Sequence, residues 1–267
     1  MKKAFLWAAL VVPLVGQAAV IGTMFGQPYI AGTLRVGEFE QVQRDFAKGF
    51  SAKGLDLKVD ADSSAFETMR IGLWLAERRP ALRVRRQCVD ACATFLLMSG
   101  SSARIEKGTL IAFSTETEQL ALIFDYLKTN PDALFVEGNE ISQLSRARLL
   151  QRFKTPAEVS ALIREATDRL VPAGPLKFLR ELTHPSQLKD VAFDEENATF
   201  KVSLASGRCR WWIPDAVGLS QLGIDAPGYE PVDRAAAAKL LKVEPRLIYI
   251  GPAVETFPEN GLCAPAP

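Results

Sequence analysis

The sequence predicts an α/β protein: a mostly parallel sheet covered by helices, followed by a helical middle section and a small α+β C-terminal region. Three observations predict it. Apolar residues switch repeatedly between period-two and helical spacing over residues 32–114, with short connections, in the order β-α-β-α-β-α-β. Capping residues or breakers stand at the ends of several of these segments. The 267 residues are 48% hydrophobic and carry no internal repeat or low-complexity stretch, enough for a full core in one or two domains. Crossovers between parallel strands are expected to be right-handed.

Taken in order, "AGTLRVG" (31–37) reads as a short strand. "EFEQVQRDFAKGF" (38–50) reads as an amphipathic helix, with Phe39, Val42, Phe46 and Phe50 at helical spacing. Leu55, Leu57 and Val59 alternate as a strand does. In "SSAFETMRIGLWLAERRP" (63–80), Ser63 and Ser64 suit an N-cap. Phe66, Met69, Ile71, Leu73, Trp74 and Leu75 follow, and Pro80 stops the helix. "ALRVRRQC" (81–88) is another strand, "CVDACATFLLMSG" (88–100) a helix, and "GTLIAFS" (108–114) a strand.

Past Ser114 the pattern is helical. "TEQLALIFDYLKT" (117–129), "NEISQLSRARLLQRF" (139–153) and "TPAEVSALIREATDRL" (155–170) carry apolar stripes, read as packing surface rather than a cofactor groove. The last has Thr155 as N-cap, Pro156 at the first helical position and Glu158 three residues after the cap. "ATFKVSLASGRCRWWIP" (198–214) reads as a hairpin turning at Ser206-Gly207. A helix, "PVDRAAAAKLLK" (231–242), and a strand, "RLIYIG" (246–251), complete the chain. The expected organisation is an N-terminal segment over 1–30, an α/β domain with helical extension over 31–188, and the C-terminal region over 189–267.

The net charge of +1 gives no footing for nucleic acid. The densest basic cluster, "ERRPALRVRRQ" (77–87), reads as a solvated helix end and strand flank. The N-terminus is more informative. Lys2 and Lys3 precede an apolar run over 4–15, and Gly16 and Ala18 occupy the small-residue positions for cleavage after Ala18. Yet no charge appears between Lys3 and Arg35, and apolar character lasts to about Phe25, long enough to span a bilayer. A cleaved signal and an uncleaved membrane anchor both remain open. Both put the body of the protein in the periplasm or on the outer side of the membrane.

Four cysteines in an exported chain make disulfides the default. Three connectivities are open, and proximity favours Cys88–Cys92 and Cys209–Cys263. Four-residue spacing near a helix start places two Cα atoms roughly 6 Å apart, within disulfide range. Inert or reactive thiols are the competing readings of Cys88 and Cys92. The one histidine, His184, stands far from every cysteine, so no metal site is expected, and no cofactor is expected either.

The run over 32–114, roughly a third of the chain, resembles exported relatives of the Clp protease proteolytic subunit, which share the crotonase-type spiral fold. The resemblance rests on "VDADSSAFETMRIGLWLAER", "CVDACATFLLMSG", the following Arg104 and "LIAFST". In that family a Ser-x-Gly-Gly turn enters a helix, Cys-x-Ser-Ala/Ser-Cys-Ala supplies the nucleophile, and Gly-Phe-His supplies the base. Here the nucleophile position falls on Asp90 or Ala91, the histidine position on Ser114, and the Gly-Gly turn on Ser63-Ser64. A serine hydrolase needs a nucleophile, a base in reach and donors aimed at the oxyanion. All three have changed together. An aspartate at a helix start is held ionised, which suits a cap rather than a proton shuttle near neutral pH.

The resemblance implies a non-catalytic exported relative that binds a peptide or protein partner, or assembles as the family's trimers and rings do. The rival expectations are a hydrolase with a rearranged site that uses His184 or Asp90, and an envelope structural protein with an apolar interface in its helical middle section.

Overall fold

The computed structural model describes residues 19–35, 37–50, 54–60, 63–114, 156–172, 188–194, 199–204 and 209–253. The fold is α/β. Strands β1 (Val20–Met24) and β2 (Gln27–Gly32) form an antiparallel hairpin. Helix α1 (Glu38–Asp45) leads to β3 (Leu55–Val59), and α2 (Ala65–Arg78) leads to β4 (Ala81–Val89). After a short helical segment come β5 (Ser102–Ile105) and β6 (Leu110–Ser114). Helix α3 (Pro156–Leu170) follows, then β7 (Leu188–Asp194) and β8 (Thr199–Leu204). The described C-terminal part holds β9 (Trp211–Ile213), α4 (Ala216–Gln221), α5 (Arg234–Leu241) and β10 (Ile248–Ile250).

Eight strands make one mixed sheet in the order β1-β2-β3-β4-β6-β9-β10, with β5 also on β4, while β7 and β8 pair antiparallel in a separate ladder. Strands β2 through β6 pair in parallel. Parallel neighbours require crossovers, and α1 and α2 supply them. The alternation of β3 is realised directly, with Leu55, Leu57 and Val59 fully buried. Strand β4 serves two neighbours: residues 81–84 pair with β5 and residues 87–89 with β6. Arg86, with φ of 62°, stands between the two halves. This local twist lets one strand change partner.

Gly72 sets how closely α2 packs. A Cβ there would lie 2.8 Å from the Phe95 carbonyl oxygen and 3.1 Å from Leu170 Cδ1. Any larger residue would push α2 away from both neighbours.

Four expectations need correction. The first strand lies at Gln27–Gly32 rather than 31–37, and a further strand, Val20–Met24, precedes it. The apolar stretch reaching Phe25 is thus partly sheet, and the segment expected to end at residue 30 contributes both strands of a hairpin. The hairpin expected across 198–214 does not form: β8 pairs with β7, whereas β9 pairs with β6. Strands β9 and β10 consequently extend the main sheet, while β7 and β8 keep their own ladder. Strand β6 is buried at all five positions, and β9 satisfies its outer edge. Phe113 and Trp212 stack there with ring centroids 5.2 Å apart. Finally, the segment after β4 is no regular α-helix but a π-helical turn, Cys92–Leu96, running into a 3-10 turn, Leu97–Ser99. Helix α3 matches the last helix of the predicted middle section; its expected cap, Thr155, and the two helices before it lie outside the described residues.

Candidate functional site at the strand ends

The positions singled out in the sequence gather at one edge of the sheet. Ser63 and Ser64 follow β3, Asp90 and Ala91 follow β4, and Ser114 ends β6; these are three consecutive parallel strands, all at their C-terminal ends. In open α/β sheets this edge is where ligands bind.

The two serines are fully engaged. Ser63 is 2% exposed; its Oγ accepts the Leu34 N–H at 3.0 Å, and its own N–H donates to the Asp60 carbonyl at 3.3 Å. Ser64 is entirely buried and donates its N–H to the Leu34 carbonyl at 2.7 Å. Its Oγ accepts the Glu67 N–H at 3.5 Å, which makes Ser64 the cap of α2. The backbone amides of Ser63 and Ser64 therefore point into the chain's own carbonyls.

Asp90 occupies a sharp strand-to-helix turn. Its φ is 56°, its N–H donates to the Ala112 carbonyl at 2.8 Å, and its carbonyl accepts the Thr94 N–H at 2.9 Å. Ala91 immediately precedes the π-helical turn, makes no side-chain cap and is 2% exposed, while the Asp90 carbonyl accepts the first bond of that turn. An N-cap residue normally has extended backbone, whereas Asp90 is left-handed. The bond to β6 helps hold that conformation, and it spans the sheet where local sequence cannot announce it.

Cys88 and Cys92 form a disulfide with a Cα–Cα distance of 5.1 Å, and both are completely buried. The bridge ties the end of β4 to the first helical turn across Asp90. Cys209 is also disulfide-bonded and 1% exposed. Cys263 and His184 lie outside the described residues. Ser114 is 1% exposed and stands opposite Trp211 in the β6–β9 pair.

Two acids at this edge escaped the reading of the sequence. Glu67 is 1% exposed; its Oε2 accepts the Phe39 N–H at 2.9 Å, and its Oε1 meets Arg70 at 3.3 Å. Arg70 also reaches Glu40 at 2.9 Å and lies over the Phe39 ring. The spacing Ser64-x-x-Glu67 was the available signal, since it is a capping-box pattern. Glu67 turns instead to the amide of a different helix. Glu38, at the start of α1, accepts the Ala19 N–H on Oε1 at 3.1 Å and the Arg35 N–H on Oε2 at 2.6 Å. Burial raises its pKa above the ordinary glutamate value; the two amide bonds and the Arg35 charge oppose that rise, and the charge of Glu67 adds to it.

The arginine run is largely neutralised. Arg83 and Arg85 each contact Asp56 and Glu106 at 3.1–3.7 Å. Burial nevertheless raises the pKa of Asp56, outweighing the attraction of Arg85. Among the described residues no three His, Cys, Asp or Glu side chains are grouped to hold a metal, and no helix is long and apolar enough to cross a membrane. No protein-family model, curated protein or solved structure matches this chain.

Proposed function

We propose that the protein is an exported, non-catalytic relative of the Clp-type peptidases, with their crotonase-like spiral core. It acts by binding a peptide or protein partner at the strand-end edge, or by assembling with copies of itself. The observation that carries this reading is the commitment of Ser63 and Ser64: both amides and both hydroxyls at the family's oxyanion turn are hydrogen-bonded internally. Oxyanion stabilisation requires donors that are preorganised and free to meet developing charge. With Asp90-Ala91 and Ser114 at the nucleophile and base positions, the remaining parts of acyl transfer are missing as well.

The second reading, a hydrolase with a rearranged site, draws on the left-handed turn at Asp90, a strand-to-helix elbow of the sort that presents a nucleophile. A broad fluorophosphonate serine probe separates the two. The natural chain from Ala19 onward is expected to remain unlabelled, tested beside an Asp90→Ser, Ser114→His double variant. Labelling of the double variant alone would locate the loss in those two side chains. Labelling of neither would locate it in the occupied amides too. Labelling of the natural chain would overturn the reading, and mapping the modified serine would name the nucleophile.

A further inference from the structure

We infer that the peptide bond between Ala18 and Ala19 is the maturation site, and that Glu38 is a built-in acceptor for the α-ammonium group released there. The inference rests on the export half of the reading above and is indifferent to whether the site is catalytic.

Three observations converge on one atom. Gly16 and Ala18 are the small residues that a membrane-bound signal peptidase selects ahead of its cut. The sheet starts at Val20, so a cut before Ala19 leaves the hairpin whole. The nitrogen that such a cut would free already lies 3.1 Å from Glu38 Oε1, a contact made across 19 positions of sequence.

Glu38 sits among other charged groups. Its Oε2 is engaged by the Arg35 amide. Glu67 on α2 faces it with like charge, and Arg35 faces it with opposite charge. Glu67 in turn shares Arg70 with Glu40. These contacts join three carboxylates, Glu38, Glu40 and Glu67, to two guanidiniums, Arg35 and Arg70. While Ala18 is attached, Ala19 offers Glu38 one N–H and no charge. Hydrolysis adds water across the bond: Ala18 leaves as a carboxylate, and the Ala19 nitrogen becomes an amine that takes a proton at neutral pH. A single neutral hydrogen bond then becomes a charge-assisted one, roughly twice as strong, and Glu38 gains a cation beside Arg35.

The sign of the pH dependence follows. An α-amino group has an ordinary pKa of about 7.7–8.0. A carboxylate partner in the folded state raises it, so the added stability is present below about pH 8 and disappears as pH rises through the higher folded value.

The test compares the chain beginning at Ala19 with a free amine against the same chain acetylated at that nitrogen, each with Glu38 and with Glu38→Gln. At pH 7 the free amine should raise Tm by about 2–4 °C, the shift that one charge-assisted bond brings to a chain of this size. The difference should vanish near pH 10 and be absent in the Glu38→Gln pair. Equal Tm values at pH 7, or an equal difference in both pairs, would overturn the inference. Glu38→Gln could itself impair folding, so a second measurement uses the unaltered full-length chain. Produced with its own leader in a Gram-negative host, the exported protein should give Ala19 on N-terminal sequencing. A retained leader or any other first residue would overturn maturation at this bond. The fluorophosphonate result cannot change either outcome.

Discussion

Ser63 serves two neighbours at once, and its hydroxyl is the acceptor for the amide of Leu34, a residue with no exposed surface. Ser63→Ala would leave that N–H buried without its partner, at a cost of about 1–3 kcal/mol. Urea denaturation should register the loss as a lower midpoint at unchanged slope. The capping tendency of the serine pair could be read from their place ahead of an apolar run, and Ser64 fulfils it. That Ser63 would hold Leu34 could not be read, because the contact spans 29 positions. Asp90 illustrates the same limit. Its residue type suits a cap, yet its backbone is left-handed, a conformation that the hydrogen bond with β6 helps hold.

Among the elements, the first hairpin departs furthest from expectation. Its turn puts Phe25 and Gly26 at φ of 53° and 75°, the pattern of a two-residue loop with both central residues left-handed. Asn-Gly and Asp-Gly announce such a turn, and Phe-Gly does not. A bulky residue pays roughly 1–2 kcal/mol for this conformation, and Phe25, 94% exposed, recovers nothing by burial. Phe25→Gly is therefore expected to stabilise the chain by about 1 kcal/mol, net of the entropy that glycine adds to the unfolded state. Thermal unfolding of the paired variants checks it, and a fall in Tm would show that the Phe25 ring has a partner. The apolar run of Val20–Phe25 reads equally as leader and as strand, since both are uncharged. Pairing with β2, itself placed by β3, decides for strand.

For the molecule as a whole, β9 and β10 close the edge that β6 would otherwise leave open, and the residues around them share two core clusters with the N-terminal half. Tyr229 belongs to the larger cluster, and burial pushes its hydroxyl up to about 12. An unfolded tyrosine ionises near 10. The folded state thus holds its proton longer, and stability that is full below pH 10 drains away as pH rises to 12, by about 3 kcal/mol in all. Tyr249, raised in the same direction by burial, adds to the slope. Unfolding free energies measured from pH 9 to 12 should fall more gently in Tyr229→Phe than in the natural chain. Identical profiles would show that Tyr229 is not protected by the fold.

Sequence by itself determined the α/β class, strands β3, β4 and β6, helices α1 and α2, and the serine cap. Each is a local matter: period and capping chemistry act within a few residues. Only the tertiary structure decided that β9 and β10 join the main sheet, that Asp90 takes a left-handed backbone, that Cys88 pairs with Cys92, that Glu67 reaches a second helix and that Ala19 meets Glu38. Those outcomes depend on which edges are left unpaired and which buried N–H groups still need an acceptor, and such demands are met across the fold and not along the chain.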